Sequence, residues 1–332
     1  MLGFVTTAVA VAAAATALTG GTQAVSEPGD ARRPPAGKES RAFAAGSWWN
    51  TPLSADAPTS PIEAQILKYM STAPDAHDGC LRLAGTASNK WGQPVYWADS
   101  DDPEYDVRVT DGDRPPELAA MRIPAAAEAA DTSDAAMTVF DRQRGYVVAL
   151  TGAHFSSAAG WAARGATVTY LASNGLHSRL KRSDDYRNRG SHRGNNGATM
   201  MVRYDEVVAG AIRHVLKVSS GPETSNRFAF PMVGSDGDST NPVAPRQGLR
   251  FRIKPSVNIA SLGLSPQAEV IARALQRYGM YLGDNGGHTT LKLEDTRASG
   301  GRQRWALASS ALCKLPLTPR YWDVIKGGYR PH

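Results

Sequence analysis

The stretch GSHRGNNGATMMVRYDEV, residues 190–207, carries the side-chain types that bind and transform polar substrates. His192 can act as a base or as a hydrogen-bond donor near neutral pH. The arginines can grip a carboxylate or a phosphate through two parallel hydrogen bonds, and the glycines let a ligand approach the main chain. Four side chains are therefore candidates for binding a substrate: Arg193, Asn195, Arg203 and Tyr204.

Acid–base chemistry has three further candidates, Glu206, His214 and Asp284. Because adjacent side chains point in different directions, at most one of Asp205 and Glu206 faces a cleft, and Glu206 is preferred. His214 lies among apolar residues of a predicted strand, so it is either a core histidine with a backbone partner or half of a carboxylate–histidine pair. Asp284 occurs in GDNGG, which is typical of a hairpin turn. The alternative is that it serves as a second catalytic carboxylate.

Two mechanisms of polysaccharide cleavage remain open. Hydrolysis would use Glu206 and Asp284 as the acid and the base or nucleophile. Elimination would neutralise a uronate carboxylate and remove the neighbouring proton. The stretch 190–207 supplies candidates for elimination: Arg193 and Asn195 as neutralisers, His192 and Tyr204 as bases. The net charge of +6 favours an anionic partner and elimination, whereas the carboxylates favour hydrolysis, which we rank slightly ahead.

Other motifs give weaker signals. Asp236 and Asp238 in SDGDST could hold a structural calcium ion through oxygen ligands, but a polar turn is preferred because the loop is far from a complete EF-hand. We expect no other cofactor. The neighbouring Trp48 and Trp49 either stack on sugar rings or fill a core. The chain has no nucleophile elbow, P-loop, HExxH motif or dinucleotide fingerprint, which weakens the corresponding enzyme classes.

The sequence predicts few helices. In SPIEAQILKYM, Ser60 is the predicted N-cap and Glu63 completes a capping box. In LSPQAEVIARALQRYG, Ser265 is the predicted N-cap and Gly279 ends the helix. The segment TPRYWDVIKGG is predicted to form a short third helix.

Most of the remaining chain alternates between apolar and polar residues, as strands do. MTVFDRQRGYVVAL predicts a β-hairpin, and GLRFRIK predicts a half-buried antiparallel strand with its arginines exposed. Short strands between Gly, Pro and Asp turns predict a mainly β fold, an antiparallel β-sandwich of jelly-roll type with two or three short helices.

The N-terminal region indicates export. Residues 1–24 resemble a secretory signal peptide, residues 25–45 a flexible leader, and residues 46–332 a single β-rich catalytic or binding domain. The apolar segment is too short and rich in alanine to span a membrane well, so we expect no stable membrane insertion. A secreted chain with two cysteines suggests one disulfide, Cys80–Cys313.

Three blocks resemble a group of secreted, mainly actinobacterial proteins of unassigned function: HRGNNGATMMVRYDEVVAGAIRHVLKV, GLRFRIKPSVNIASLGLSPQAEVIARALQRYGMYLGDNGG and, more loosely, GSWWNTP. The resemblance implies a role on extracellular polymers and transfers no catalytic residues. We therefore expect a secreted enzyme that cleaves an extracellular polysaccharide. A non-catalytic carbohydrate-binding module is the alternative, and a nucleic-acid partner is not expected.

Overall fold

The computed structural model describes residues 41–190, 193, 194 and 196–330. The predicted signal peptide and most of the predicted leader lie outside these residues, as do His192 and Asn195. Within the described residues, three α-helices form: α1 (Glu63–Thr72), α2 (Tyr204–Val208) and α3 (Pro266–Arg277). None of these described helices is both long and apolar enough to cross a bilayer.

Fifteen strands form within the same described part of the chain. In order they are β1 (Arg82–Ala84), β2 (Val95–Ala98), β3 (Glu104–Tyr105), β4 (Arg108–Val109), β5 (Met121–Arg122), β6 (Met137–Asp141), β7 (Tyr146–Thr151), β8 (His154–Ser156), β9 (Gly160–Ala163), β10 (Gly165–Tyr170), β11 (Leu216–Ser220), β12 (Arg250–Ile253), β13 (Met280–Asn285), β14 (Thr290–Lys292) and β15 (Trp322–Val324).

The strands build one large mixed sheet and three smaller sheets. The large sheet has the order β1-β14-β11-β13-β12-β15, and a four-stranded sheet has the order β10-β7-β6-β2. The predicted hairpin is present, since β6 and β7 pair antiparallel. Parallel pairs also occur, among them β11 with β13 and β2 with β6. The mainly β fold with few helices is confirmed, and its sheets are mixed.

The large sheet is covered on both faces. Leu216 and Val218 of β11 pack in one buried cluster with Ile271 and Leu275 of α3. Tyr281 of β13 belongs to another buried cluster, together with side chains of the four-stranded sheet such as Phe140 and Val147. Since side chains alternate along a strand, residues next to the helix-facing ones must point toward the smaller sheet. Lys217 is one of these residues.

The predicted cap of α3 forms, whereas the predicted capping box of α1 does not. Ser265 Oγ accepts a hydrogen bond from the backbone N–H of Ala268 at 3.4 Å, and Gly279 follows the helix with a φ of +71°. The predicted capping box of α1 does not form. Its Glu63 carboxylate instead accepts a hydrogen bond from the backbone N–H of Val324 at 2.9 Å, so a tertiary contact replaces the local one.

The C-terminal segment is a strand, and the predicted third helix is wrong. Trp322–Val324 form β15, which pairs antiparallel with β12 at the edge of the large sheet. All three residues are buried there. Pairing with an open sheet edge satisfies the backbone and buries two large side chains, which outweighs the weak helical pattern.

The arginines of β12 are buried, which corrects the expectation that they are exposed. Arg250 and Arg252 are each 3% exposed. Arg252 Nε donates to Asp323 Oδ2 at 2.8 Å, and Arg250 Nε donates to the carbonyl oxygen of Tyr278 at 2.7 Å. Strand β12 lies between β13 and β15, so both its edges are paired, and its buried charges are satisfied by partners inside the protein.

The disulfide Cys80–Cys313 is present and joins residues that are 233 positions apart. Closing so long a loop restricts the unfolded chain strongly. We expect the double substitution Cys80→Ala/Cys313→Ala to lower the free energy of unfolding by about 2–5 kcal/mol. Urea denaturation followed by tryptophan fluorescence measures this loss. An unchanged midpoint would contradict a stabilising role for the disulfide.

Candidate functional site

Three of the sequence-nominated residues form one buried cluster at α2. Arg203 Nη2 donates to Glu206 Oε1 at 2.7 Å, and His214 Nε2 lies 3.0 Å from Glu206 Oε2. His214 Nδ1 lies 2.8 Å from the carbonyl oxygen of Val215. The carboxylate–histidine pair therefore exists, and Glu206 is its carboxylate.

This cluster is closed to solvent. Arg203 is 0% exposed, Glu206 2% and His214 3%. Both oxygens of Glu206 are engaged by buried partners, and both ring nitrogens of His214 face oxygen atoms. Removing one member would leave a charge without its partner in the interior, which is strongly destabilising. The cluster fixes the connection between α2 and β11 and offers a substrate no access to the Glu206 carboxylate.

Tyr204 belongs to the same region and not to the surroundings of Asp284. Its backbone N–H donates to Glu294 Oε2 at 2.8 Å. Its ring meets that of Trp305 edge to face, and the Arg304 guanidinium lies 4.2 Å from the ring centre. These contacts favour a packing role over the predicted role in substrate binding.

Asp284 is brought to the other face of the large sheet by a β-bulge. Lys217 pairs with Tyr281 and Val218 with Leu282, but Ser219 then pairs with Asp284. Gly283 is the extra residue of β13. In a regular ladder Asp284 would be opposite Ser220 and would point into the helix-covered core, whereas the inserted residue turns it toward the face of Lys217.

Around Asp284 the structure assembles a second charged cluster, which we call the Asp284 site: Arg193, Lys217, Asp236 and Asp284. Lys217 Nζ donates to Asp284 Oδ2 at 2.8 Å. One nitrogen, Arg193 Nη1, contacts both Asp284 Oδ1 and Asp236 Oδ2. Gln247 Nε2 contacts the other oxygen of Asp236. Two carboxylates therefore meet at a single guanidinium nitrogen.

The charges of the Asp284 site determine its protonation. Burial alone would raise the pKa of Asp284, but the positive charges of Lys217 and Arg193 lower it to about 2. Burial lowers the pKa of Lys217, and the attraction of Asp284 offsets only part of that effect. Asp284 is therefore a carboxylate at any physiological pH, and Lys217 gives up its proton more easily than an exposed lysine.

Unlike the Glu206 cluster, the Asp284 site reaches solvent. Its side chains are 17–29% exposed, with Asp236 the most accessible of the four. Glu206 has a side-chain exposure of only 3%. Among the carboxylates that the sequence nominated for catalysis, Asp284 is thus the accessible one, and its neighbour is Asp236 in place of Glu206.

A rigid loop positions Asp236. Asn285, next to Asp284 on β13, donates from Nδ2 to the carbonyl oxygen of Asp236 at 3.1 Å and to Glu223 Oε1 at 2.8 Å. A Cβ on Gly237 would lie 2.2 Å from Thr224 Oγ1, so only glycine allows this close packing. The sequence assigned Asp236 to a turn because no local pattern shows that its loop folds back against β13.

The same contacts bear on the calcium that was considered at Asp236 and Asp238. Both oxygens of Asp236 accept hydrogen bonds from protein donors, Arg193 and Gln247. The backbone N–H of Asp238 donates to Glu223 Oε1 at 3.0 Å. These contacts use the loop as a polar turn and as part of the Asp284 site, which disfavours the calcium role.

The remaining nominated residues fall outside both clusters. His192 and Asn195 lie outside the described residues, although they flank the segment that carries Arg193. Trp49 is 1% exposed and meets Tyr281 edge to face, so it fills the core. Trp48 is half-buried against Phe230.

Comparisons of the chain with known proteins found no match. No family model, no curated protein and no solved structure matches the chain. The geometry of the chain's own residues therefore carries the functional argument.

Replacing Asp284 tests the electrostatics of the site. Its pKa is lowered from 3.8 to about 2, so its contribution to stability is complete above pH 4 and disappears as the pH falls through 2. We expect Asp284→Asn to lower the free energy of unfolding by about 2 kcal/mol at neutral pH and by much less near pH 2. Urea denaturation at both pH values measures the difference.

The matched control is Asp113→Asn, which alters an exposed aspartate on a surface loop. It should change stability by less than about 0.5 kcal/mol at either pH. Equal losses for Asp284→Asn at neutral and acidic pH would contradict the charge-based account of the site.

Proposed function

We propose that the protein is a secreted glycoside hydrolase that cleaves an extracellular polysaccharide with Asp236 and Asp284. The observation that carries the proposal is the contact of both partly exposed carboxylates with one nitrogen of Arg193. Glycoside hydrolysis generally uses two carboxyl groups that flank the scissile bond. The disulfide supports export, since such bonds persist in oxidising compartments.

The separation of the carboxylates favours a retaining mechanism. Two oxygens that contact the same nitrogen lie at most about 6 Å apart, which is twice a hydrogen-bond length. Retaining enzymes place their carboxyl groups about 5–5.5 Å apart, and inverting enzymes leave about 6.5–9.5 Å for a water molecule. The pair at Arg193 therefore suits formation of a covalent glycosyl intermediate.

The roles follow from the environments of the two residues. Asp284, held ionised by Lys217 and Arg193, attacks the anomeric carbon as nucleophile. Asp236, closer to solvent, is the general acid: bound substrate displaces its contact with Arg193, and Asp236, once protonated from solvent, donates that proton to the departing glycosidic oxygen as the bond breaks. In the second step Asp236 takes a proton from water, whose oxygen displaces Asp284 from the sugar. The net reaction adds one water across the glycosidic bond.

Glu206 and His214 act through structure in this proposal. Their buried cluster holds α2 at the start of β11, the strand that carries Lys217. In this proposal Asp236 takes the catalytic role that the sequence favoured for Glu206. His192 stays a prediction for a catalytic base, and Asn195 stays one for substrate binding.

Elimination at the same site is the second candidate, because Lys217 carries an amine with a lowered pKa. Arg193 would neutralise the carboxylate of a uronate sugar. Lys217, after releasing its own proton to solvent, would take the proton next to that carboxylate, the adjacent C–O bond would break as its oxygen takes a proton from water, and a carbon–carbon double bond would form.

Product analysis separates these candidates. We expect purified protein, incubated with a panel of neutral and acidic polysaccharides, to release reducing ends from at least one of them. Release without the ultraviolet absorbance of an unsaturated sugar indicates hydrolysis, and release with that absorbance indicates elimination. Binding without any product across the panel would contradict both and favour a carbohydrate-binding module.

Substitution of the two aspartates tests their roles. We expect Asp236→Asn and Asp284→Asn each to reduce kcat by about 100-fold or more, because a catalytic carboxylate is lost. Asp113→Asn should retain full activity. Glu206→Gln should instead lower the free energy of unfolding by about 3 kcal/mol or more, because it breaks a buried charge cluster. Wild-type kcat in Asp236→Asn would contradict the assignment.

A further inference from the structure

A small polar cavity lies beside the segment that carries Arg193. It is lined by Thr167 and Thr169 of β10 and by His177, Arg189 and Asn196, among others, and its volume is about 10 Å³. That is room for about one water-sized oxygen atom and not for a sugar ring. We call it the hydroxyl cavity.

One buried acceptor in this cavity lacks a partner. Asn196 is 5% exposed, and its Nδ2 donates to Thr169 Oγ1 at 3.2 Å. Its Oδ1 has no hydrogen-bond partner among the described residues. A buried carbonyl oxygen that accepts no hydrogen bond costs free energy, so a donor from outside the protein should fill the position.

His177, which also lines the cavity, carries a hydrogen-bond donor. His177 is 8% exposed, and its Nδ1 accepts a hydrogen bond from the backbone N–H of Arg179 at 3.1 Å. Since Nδ1 accepts, the proton of the neutral ring is on Nε2. Burial, with a smaller effect from Arg179, lowers the pKa of His177 to about 4, so the ring stays neutral at physiological pH.

An acceptor and a donor at one small cavity define the group that complements them. A hydroxyl group donates one hydrogen bond and accepts others, so it can satisfy Asn196 Oδ1 and His177 Nε2–H together. A carboxylate could accept from His177 but could not donate to Asn196. A methyl group could do neither. Water and a sugar hydroxyl share the required chemistry.

The cavity is close to the Asp284 site. Arg193 and Asn196 are three residues apart, which limits their separation to about 11 Å. Gly197, next to Asn196, is so close to Lys217 that a Cβ there would lie 3.1 Å from Lys217 Nζ. This separation is within the length of a short oligosaccharide.

We infer that the hydroxyl cavity is a subsite that receives one hydroxyl group of the bound sugar chain, an inference that rests on the proposed glycoside hydrolase function. The hydroxyl donates to Asn196 Oδ1 and accepts from His177 Nε2–H, in place of a water molecule. His177 and Asn196 are thus substrate-positioning residues that take no part in proton transfer to the scissile bond.

Asparagine and glutamine each replace one of the two ring nitrogens of His177, so the two variants form a matched pair. His177→Asn keeps an acceptor near the position of Nδ1 for the Arg179 N–H but removes the Nε2 donor. His177→Gln places an amide near the position of Nε2 and removes the acceptor for Arg179. A loss of binding in the first variant and not in the second therefore reports on the donor and not on the local fold.

The kinetic test uses the polysaccharide that the product assay identifies. We expect His177→Asn to raise KM by about 3- to 10-fold, as for one lost hydrogen bond, with kcat unchanged within about 2-fold. His177→Gln should keep KM within about 2-fold. A KM for His177→Asn equal to that of the wild type, in a protein with a wild-type urea midpoint, would overturn the subsite.

A binding test that needs no turnover separates this inference from the proposed function. The ¹⁵N-labelled protein is titrated at neutral pH with glucose, mannose, galactose and arabinose, and the His177 ring signals, assigned through His177→Asn, are followed by NMR. We expect a saturable shift with at least one sugar and its loss in Asn196→Ala. Unchanged signals with all four sugars would show that the cavity holds water only.

The two tests fail in different ways. A His177 shift without product from any polysaccharide would contradict the hydrolase and leave a sugar-binding cavity. Product formation with no His177 shift, and with an unchanged KM in His177→Asn, would support the hydrolase and overturn the subsite.

Discussion

The Asp284 site depends on one extra residue in β13. Gly283 shifts the register against β11, so that Asp284 pairs with Ser219 and lies on the face of Lys217. The resulting ion pair between Lys217 and Asp284 lies on the face of the large sheet that is turned toward the smaller sheet, where a lone carboxylate would be costly. Because Asp284 is ionised there, it can attract Arg193, and Arg193 in turn holds Asp236. A β-bulge beside an active site commonly re-aims a side chain in this way.

The charged clusters of the described residues fall into two groups, which differ in their exposure to solvent. The Arg203–Glu206–His214 cluster and the Arg252–Asp323 pair are buried and fix neighbouring segments of the chain. The Asp284 site combines the same residue types with access to solvent. Perturbed carboxylates and lysines that remain accessible are candidates for chemistry, whereas saturated and buried ones are candidates for structure.

The sequence predicted the features that a local pattern or the cysteine count is enough to identify. The cap of α3 at Ser265, the β6–β7 hairpin and the Cys80–Cys313 bridge follow from local patterns and from cysteine count, and all three are present. The Glu206–His214 pair was also foreseen as one of two alternatives. What the sequence missed depends on long-range contacts. Strand β15 forms because a sheet edge is available, and Asp236 reaches Asp284 because Asn285 holds its loop.

The carboxylate pair at Arg193 predicts the stereochemistry of glycosidic-bond cleavage. Oxygens that share one nitrogen lie closer together than the roughly 6.5–9.5 Å that inverting hydrolases leave for a directly attacking water, so two successive displacements at the same carbon are expected, first by Asp284 and then by water. The most direct measurement is the anomeric configuration of the first product, followed by proton NMR from the moment the protein is added to the polysaccharide. The account predicts that the configuration of the cleaved bond is retained. A product that forms first with the inverted configuration would contradict the Asp236–Asp284 pair.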